Sequence, residues 1–333
     1  MAQDRVRWGV ISTAKIGRTS VIPAIQRASN GDVGAVASRD AGRAADFAAE
    51  LGIPRAHGSY ADLLAADDID AVYIPLPNSL HREWTIKAAE AGKHVLCEKP
   101  LALDEAECLE MASAAGSNGV KLMEAFMYRF HPQIDLTLEL LKLGVIGAPK
   151  MIYVAFTFHM NDPDNIRWKP ELGGGALMDV GCYCVNASRT LAGDEPVEVQ
   201  ATAEWAETGV DAQLVGTLRF ADGLVSQIAC AMTLKRREIV QIAGPEGFID
   251  LPHAFIPNTE DATVVERHGR DEPVVHTAPG EDEYQLMVEH FADCVLQDLP
   301  ARYPPTEAAA NMRAIDALYR SARNGGQPEP VAT

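Results

Sequence analysis

The sequence predicts an α/β architecture in two parts. A parallel sheet covered on both faces by helices comes first, followed by an α+β region built on a large, open, mainly antiparallel sheet. Two observations predict it. Over the first third, short runs that are apolar throughout alternate with helical stretches. After the turn cluster Gly144-Val145-Ile146-Gly147-Ala148-Pro149, strand-like runs follow one another and several alternate with period two. A length of 333 residues makes two domains the natural expectation, with boundaries at 1–124 and 125–333.

In the first part the strand-like runs are 6–11, 33–38, 71–75, 94–97 and 120–124. Helical stretches lie near 20–28, 42–51, 80–91 and 105–115, and another near 133–143 leads into the turn cluster. Beyond it, 151–159, 197–204, 213–220, 224–232 and 238–242 read as strands, with Ala221-Asp222-Gly223 as a hairpin signal. Helices near 284–296 and 307–323 close the chain, and Gly325-Gly326 opens a tail expected to fray.

Composition excludes several function classes. The net charge of −18, from 29 basic and 47 acidic residues, repels nucleic acid and anionic membranes, so neither is an expected partner. No apolar stretch is long enough to span a bilayer, and the charged first residues show no cleavage signal, which points to the cytoplasm. The six cysteines are scattered, mostly in apolar runs, as suits reduced and buried thiols. A polyanionic ligand would need a local basic pocket.

Such a pocket is suggested near the N-terminus. Gly9-Val10-Ile11-Ser12-Thr13-Ala14-Lys15-Ile16-Gly17 ends the first strand and opens the first helix, where a dinucleotide-binding (Rossmann) fold places its phosphate loop. Against G-x-G-x-x-G the three key positions are Ser12, Ala14 and Gly17, so only the last is glycine. The second strand ends in Ala37-Ser38-Arg39-Asp40. A hydroxyl followed by an arginine suits a 2′-phosphate better than the acidic ribose ligand of an NAD site. Arg43, Lys15 and Arg18 add positive charge, while Asp40 offers a ribose ligand one position late. NADP is therefore expected ahead of NAD.

The third strand runs into Pro75-Leu76-Pro77-Asn78-Ser79-Leu80-His81, and the fourth ends in Glu98-Lys99-Pro100. Further on, Leu172-Gly173-Gly174-Gly175-Ala176-Leu177-Met178-Asp179 opens a helix that continues through Val180-Gly181-Cys182-Tyr183. With the N-terminal loop, these motifs in this order resemble the Gfo/Idh/MocA oxidoreductases over essentially the whole chain. The resemblance implies a Rossmann domain followed by a substrate-binding and oligomerisation domain. Its sheet is expected to make a homodimer or homotetramer. It also implies that the helix of Asp179 and Tyr183 lines the cleft, with Lys99 and Tyr183 meeting over the nicotinamide. Tyrosine at position 183 is similar to the branch of glucose-fructose oxidoreductase, dimeric dihydrodiol dehydrogenases and NADP-dependent xylose dehydrogenases.

The chemistry such a site needs fits these residue types. Hydride leaves a substrate carbon as its hydroxyl loses a proton, so a base must reach that oxygen. A free tyrosine, with a pKa of about 10, is a poor base at neutral pH. A neighbouring ammonium favours the phenolate. Lys99 is the candidate for that ammonium, Tyr183 for the acid/base, and Asp179 for orienting substrate. Cofactor contacts are expected at Ser12, Thr13, Ala14, Ile16, Gly17, Ser38, Arg39, Arg43, Leu76, Asn78, His81, Glu98, Lys99, Arg129, Arg167 and Trp168. Glu98 reads equally as an anchor for local backbone. Phe156 and Phe158 alternate with Thr157 and suggest a stacking platform for a sugar, although a packed sheet face explains them as simply. No metal is expected. Cys182 and Cys184 project from different faces of a helix, and His159 adds no zinc-site spacing.

The expected activity is NADP-dependent oxidation of a sugar hydroxyl, most directly the anomeric hydroxyl of a xylose- or glucose-type aldose to its lactone. The same residues serve a keto-sugar reductase or a trans-dihydrodiol dehydrogenase. A regulator that binds NADP without catalysis is the non-enzymatic alternative.

Overall fold

In the computed structural model, which describes residues 4–331, the chain forms two compact units. The first comprises residues up to Phe130 together with Asp282–Ala309, and the second comprises His131–Glu281 with the residues from Ala310 onward. These units are drawn by contact and are not the two continuous stretches 1–124 and 125–333. The parallel sheet needs a further helix to cover it, and the chain supplies that helix from a segment far downstream.

The first unit is a six-stranded parallel sheet. Its strands are β1 (Val6–Ile11), β2 (Gly31–Ala37), β3 (Ala56–His57), β4 (Ala71–Ile74), β5 (His94–Cys97) and β6 (Leu122–Glu124), in the spatial order β3-β2-β1-β4-β5-β6. The helices between them are α1 (Ile22–Arg27), α2 (Ala41–Leu51), α3 (Tyr60–Leu64), α4 (His81–Glu90) and α5 (Glu105–Ser117). Their starts are written in the sequence. Asp40, Ser59 and Asp104 each accept a hydrogen bond from a main-chain amide of the first turn. β4 is buried along its whole length, as a strand covered on both faces must be. The order reverses direction at β1 and β4, which opens a crevice at their carboxyl ends.

The second unit starts with α6 (Pro132–Leu143), which has proline at its first position and Gly144 in the left-handed region at its end. Then come β7 (Met151–His159), α7 (Cys182–Ala192), β8 (Pro196–Trp205), β9 (Asp211–Phe220), β10 (Val225–Ala231), β11 (Thr233–Ala243), β12 (Phe248–Leu251), β13 (Ala262–Arg267) and β14 (Val274–Ala278). After α8 (Glu283–Leu296) of the first unit, α9 (Pro305–Arg323) carries the chain from one unit's residues to the other's, and β15 (Glu329–Pro330) ends it. The sheet has nine strands in the order β14-β13-β12-β11-β7-β10-β9-β8-β15, all antiparallel neighbours except β7 with β10. The tail expected to fray thus supplies an edge strand, β15, paired with β8. The expected hairpin at Ala221-Asp222-Gly223 joins β9 to β10.

Alternation gives this sheet two unlike faces. Ile152, Val154 and Phe156 of β7 are buried, as are Leu214 and Leu218 of β9. The residues between them include Tyr153 and Val215, which are 36% and 47% exposed. Among the described residues no helix is long and apolar enough to cross a membrane.

Candidate active site

In the first unit the phosphate-loop residues follow β1. Ser12 is buried and has φ 128°, a backbone conformation that L-residues rarely adopt and glycine adopts freely. The serine thus holds the conformation that the glycine of the motif would hold, at a cost of order 1–3 kcal/mol for a strained residue. Its Oγ donates to the Pro75 carbonyl at 3.1 Å and accepts from the Ala14 amide at 3.2 Å, fixing the loop to the turn after β4. The helix then opens with a π-turn, Gly17–Val21, a form concentrated at functional sites.

At the end of β2, Asp40 is used as the cap of α2, its carboxylate accepting the Arg43 amide at 2.9 Å. Ser38 is buried and accepts the Asp40 amide at 3.3 Å, and Arg39 is exposed. Arg18 ion-pairs with Glu50 at 3.5 Å over the Phe47 ring. These residues fit an NADP adenosine better than an NAD one, because the Asp40 carboxylate is already committed to a helix start.

Lys99 stands past the end of β5, half-buried, before a cis peptide to Pro100. Its neighbours are tied down by buried groups. The Tyr73 hydroxyl donates to Glu98 Oε1 at 2.5 Å, and burial, followed by the Glu98 charge, holds the Tyr73 phenol well above its usual pKa. Glu124 accepts the Leu101 amide at 2.7 Å. The His81 ring nitrogens lie 2.9 Å from the Pro100 carbonyl and 2.8 Å from the Leu76 carbonyl. Burial pushes its pKa down. The turns after β4 and β5 are thereby stapled to each other, and Lys99 projects from a rigid support.

In the second unit, β7, α7 and the turns before the helix build a different wall. Leu177–Gly181 is a π-turn that runs directly into α7, so Asp179 lies in the π-turn and Tyr183 at the start of the α-helix. The π-turn sits against β10: a Cβ on Gly181 would meet Cys230 Sγ at 2.7 Å. Asp179 receives the Arg167 Nε–H at 2.5 Å, and the Arg167 guanidinium carbon lies 5.8 Å from the Phe158 ring centre. Tyr183 is buried edge-on to Phe156 and Phe255, with both ring centres 5.4 Å away. Phe156 and Phe255 stack in parallel at 5.1 Å. Glu238 accepts the Phe255 and Ile256 amides at 3.1 and 3.0 Å and so fixes the loop that carries Phe255.

The nucleotide-loop motif thus lies in the first unit and the Asp179–Tyr183 helix in the second. A model of an oxidoreductase family with an NAD-binding Rossmann fold matches residues 6–126, and a model of the GFO/IDH/MocA C-terminal domain matches residues 136–250. The chain belongs to the Gfo/Idh/MocA oxidoreductase family. It is 39% identical over 323 residues to D-xylose 1-dehydrogenase (NADP(+)) 2 of Haloferax volcanii, covering 97% of this chain and 99% of that protein. To the trans-1,2-dihydrobenzene-1,2-diol dehydrogenase of Xenopus tropicalis it is 32% identical, covering 88% and 90%. Among solved structures, a 3-ketoreductase from Actinomadura kijaniata in complex with NADP and TDP-benzene superposes with a TM-score of 0.90 at 30% identity, covering 95% and 98%.

Several residues expected at the cofactor make contacts within the chain. His81 is fully buried between two carbonyls, and Glu98 is bound to Tyr73. Arg129 is 5% exposed; it pairs with Glu307 at 2.6 Å and stacks 3.5 Å over Tyr303, holding the returning 282–309 segment within the first unit. Arg167 reaches Asp179. Trp168 is half-buried in the adjoining turn. Phe156 packs on Tyr183, and Phe158 stands half-buried near Arg167. Among the described residues no cluster of three or more His, Cys, Asp or Glu could hold a metal ion.

Sequence reasoning missed Phe255, Asp211 and Asn311. Phe255 lies in an irregular Pro-containing loop without periodicity. Asp211 opens a strand, where aspartate is disfavoured, and that was the available signal.

Proposed function

We propose that this oxidoreductase binds NADP and oxidises a sugar hydroxyl, specifically the anomeric hydroxyl of a xylose- or glucose-type aldose, to the lactone. The observation that carries the reading is Tyr183, a buried hydroxyl one turn beyond an ion-paired Asp179, enclosed by aromatic rings on the substrate-domain helix. The full-length likeness to a xylose dehydrogenase supports the substrate class. Arg39, beside an Asp40 committed to capping, supports NADP.

When bound, NADP supplies a nicotinamide that accepts hydride from the sugar carbon. Tyr183 takes the proton of the substrate hydroxyl as the C–H bond breaks and the carbonyl forms, and returns it in the reverse direction. Lys99 supplies the positive charge that favours the tyrosinate and donates to the substrate oxygen. Asp179, oriented by Arg167, binds a second sugar hydroxyl. Phe156 and Phe255 exclude water from the Tyr183 ring, which strengthens these polar interactions.

The second reading, reduction of a keto-sugar or oxidation of a trans-diol, uses the same residues and is favoured by the likeness to the ketoreductase and the diol dehydrogenase. We further assign the enzyme to the cytoplasm, since all six cysteines are buried thiols. We also propose a homodimer or homotetramer formed through the open sheet face.

One experiment tests the activity. Purified enzyme is given NADP with aldoses, polyols and trans-diols, and NADPH with keto-sugars, and nicotinamide absorbance is followed. Aldoses, led by xylose or glucose, are expected to be oxidised fastest. Tyr183→Phe should lower turnover by roughly 10²–10⁴-fold, with NADP affinity unchanged. Silence with every aldose, or an active Tyr183→Phe enzyme, overturns the reading.

A further inference from the structure

We propose that Asp211 is a positioning residue for catalysis, setting the first turn of the helix that carries Asp179 and Tyr183. The inference rests on the role proposed above for those two residues.

Asp211 is the first residue of β9 and is 1% exposed. Its Oδ2 accepts the Leu177 amide at 2.7 Å, and its Oδ1 accepts the Tyr319 hydroxyl at 2.7 Å. Leu177 opens the π-turn, two residues before Asp179. A helix start leaves its first amides without partners inside the helix. A side chain from a neighbouring strand therefore fixes this one, where a local Ser, Thr or Asp would ordinarily do so. The consequence is geometric: the start of the helix is tied to β9 of the sheet as well as, through Arg167, to its own preceding loop.

The surrounding chain is shaped to permit this contact. Gly175 has φ 123°, and a Cβ there would lie 2.2 Å from Asp211 Oδ1. The last glycine of the Gly173-Gly174-Gly175 run thus makes room for the carboxylate. Tyr319 is in turn held by its ring, which stacks on Trp205 with the Arg323 guanidinium over both. At the other end of the π-turn, Asn311 of α9 donates to the Cys182 carbonyl at 3.3 Å and accepts from Arg189 at 3.1 Å. Buried polar side chains therefore hold both ends of the segment that presents Asp179 and Tyr183. A shift of about 1 Å in a reacting group is enough to cost 10²-fold in rate.

Asp211 also resembles a group kept for function at the expense of stability. Burial pushes its carboxyl up to about 6, against the pull of the Tyr319 and Leu177 hydrogen bonds and the Arg323 charge. The titratable or charged neighbours acting on it are Tyr319 and Arg323 from α9 and Cys230 from β10. Asparagine has nearly the same shape, keeps the acceptor for Leu177 and avoids a buried charge.

The test compares wild type with Asp211→Ala, Asp211→Asn and Tyr319→Phe. Hydrogen exchange across residues 175–183 is read on each protein without substrate, alongside NADP affinity, kcat and KM. Asp211→Ala should speed exchange in that segment and lower kcat roughly tenfold or more, with NADP affinity unchanged. Asp211→Asn should restore both, and Tyr319→Phe should fall between. Should Asp211→Ala not fold, Tyr319→Phe alone carries the comparison. Unchanged exchange, or faster exchange with kcat and KM intact, overturns the proposal. A wild-type enzyme inactive on every sugar overturns the functional reading instead, and the exchange data still decide whether Asp211 fixes the helix.

Discussion

In the proposed reading, Arg39 alone sets cofactor choice in a protein of net charge −18. Its neighbour Asp40, the natural ribose ligand, is spent on capping α2 through the Arg43 amide. What remains at the tip of β2 is a hydroxyl and a guanidinium. Charge-assisted hydrogen bonds to a 2′-phosphate are worth about 1.5–3 kcal/mol. Arg39→Ala should therefore raise the dissociation constant for NADP by roughly 10- to 100-fold while moving that for NAD by less than about twofold. Titration of both cofactors by fluorescence checks it, and equal losses would show that Arg39 does not read the phosphate. Asp40 was ambiguous in the sequence because a carboxylate one residue beyond the strand serves a ribose or a helix start equally well. Only the main-chain path of α2 decides between them. Ser12 was similarly opaque: a serine in place of glycine looks like a weakened motif until its φ is known.

At the scale of elements, most strands of the parallel unit were legible as apolar runs, and α2 and α5 also begin at aspartate caps. By contrast, α1 and α4 start without a side-chain cap, and the short β3 and α3 carry too few residues to show a period. β12, β13 and β14 were not read, since they lie among turns and charged residues and bury only alternate side chains. The helix of Asp179 and Tyr183 was read as regular, whereas it opens with a π-turn pressed onto β10. That feature depends on Gly181 and Cys230, 49 residues downstream, and no local pattern reveals it. The same helix carries a titration signature through Asp211. A carboxyl near 3.9 in the unfolded chain and about 6 when folded binds more protons in the folded state between those values. Its contribution therefore falls as pH rises from about 4 to about 6, and is absent from Asp211→Asn. Relative to wild type, Asp211→Asn should gain on the order of 2 kcal/mol between pH 4 and pH 7. Urea unfolding of both proteins across that range measures the difference, and a pH-independent difference would contradict the assignment.

For the molecule as a whole, the nine-stranded sheet poses the largest question. One face is buried along β7 and β9. The other carries a shallow groove lined by Tyr153, Val215, Thr217, Gln227 and Ile239. An apolar patch at the centre of a broad sheet, in so acidic a protein, is the kind of surface that a second copy covers. Val215→Glu would place a charge in the middle of the proposed interface. Sedimentation should find the wild type at two or four times the 35.9 kDa chain mass and the variant shifted toward one chain. A wild-type monomer, or a variant with unchanged mass, removes this face from consideration.

The return of residues 282–309 to the first unit has a consequence for how the protein is made. Phe291 of α8 packs 5.5 Å from Trp8 of β1, Asn30 donates to Asp293 at 2.8 Å, and Arg27 pairs with Asp282. A ribosome that has finished β6 has therefore not yet made the helix that seals β1 and β2. At roughly 5–20 residues per second, some 180 further residues take on the order of ten to forty seconds. Throughout that interval the nascent chain holds a nearly finished sheet with Trp8 uncovered. Residues 131–281 of the second unit emerge before the first can close, so the nucleotide domain, although it begins the sequence, is sealed only by a late segment.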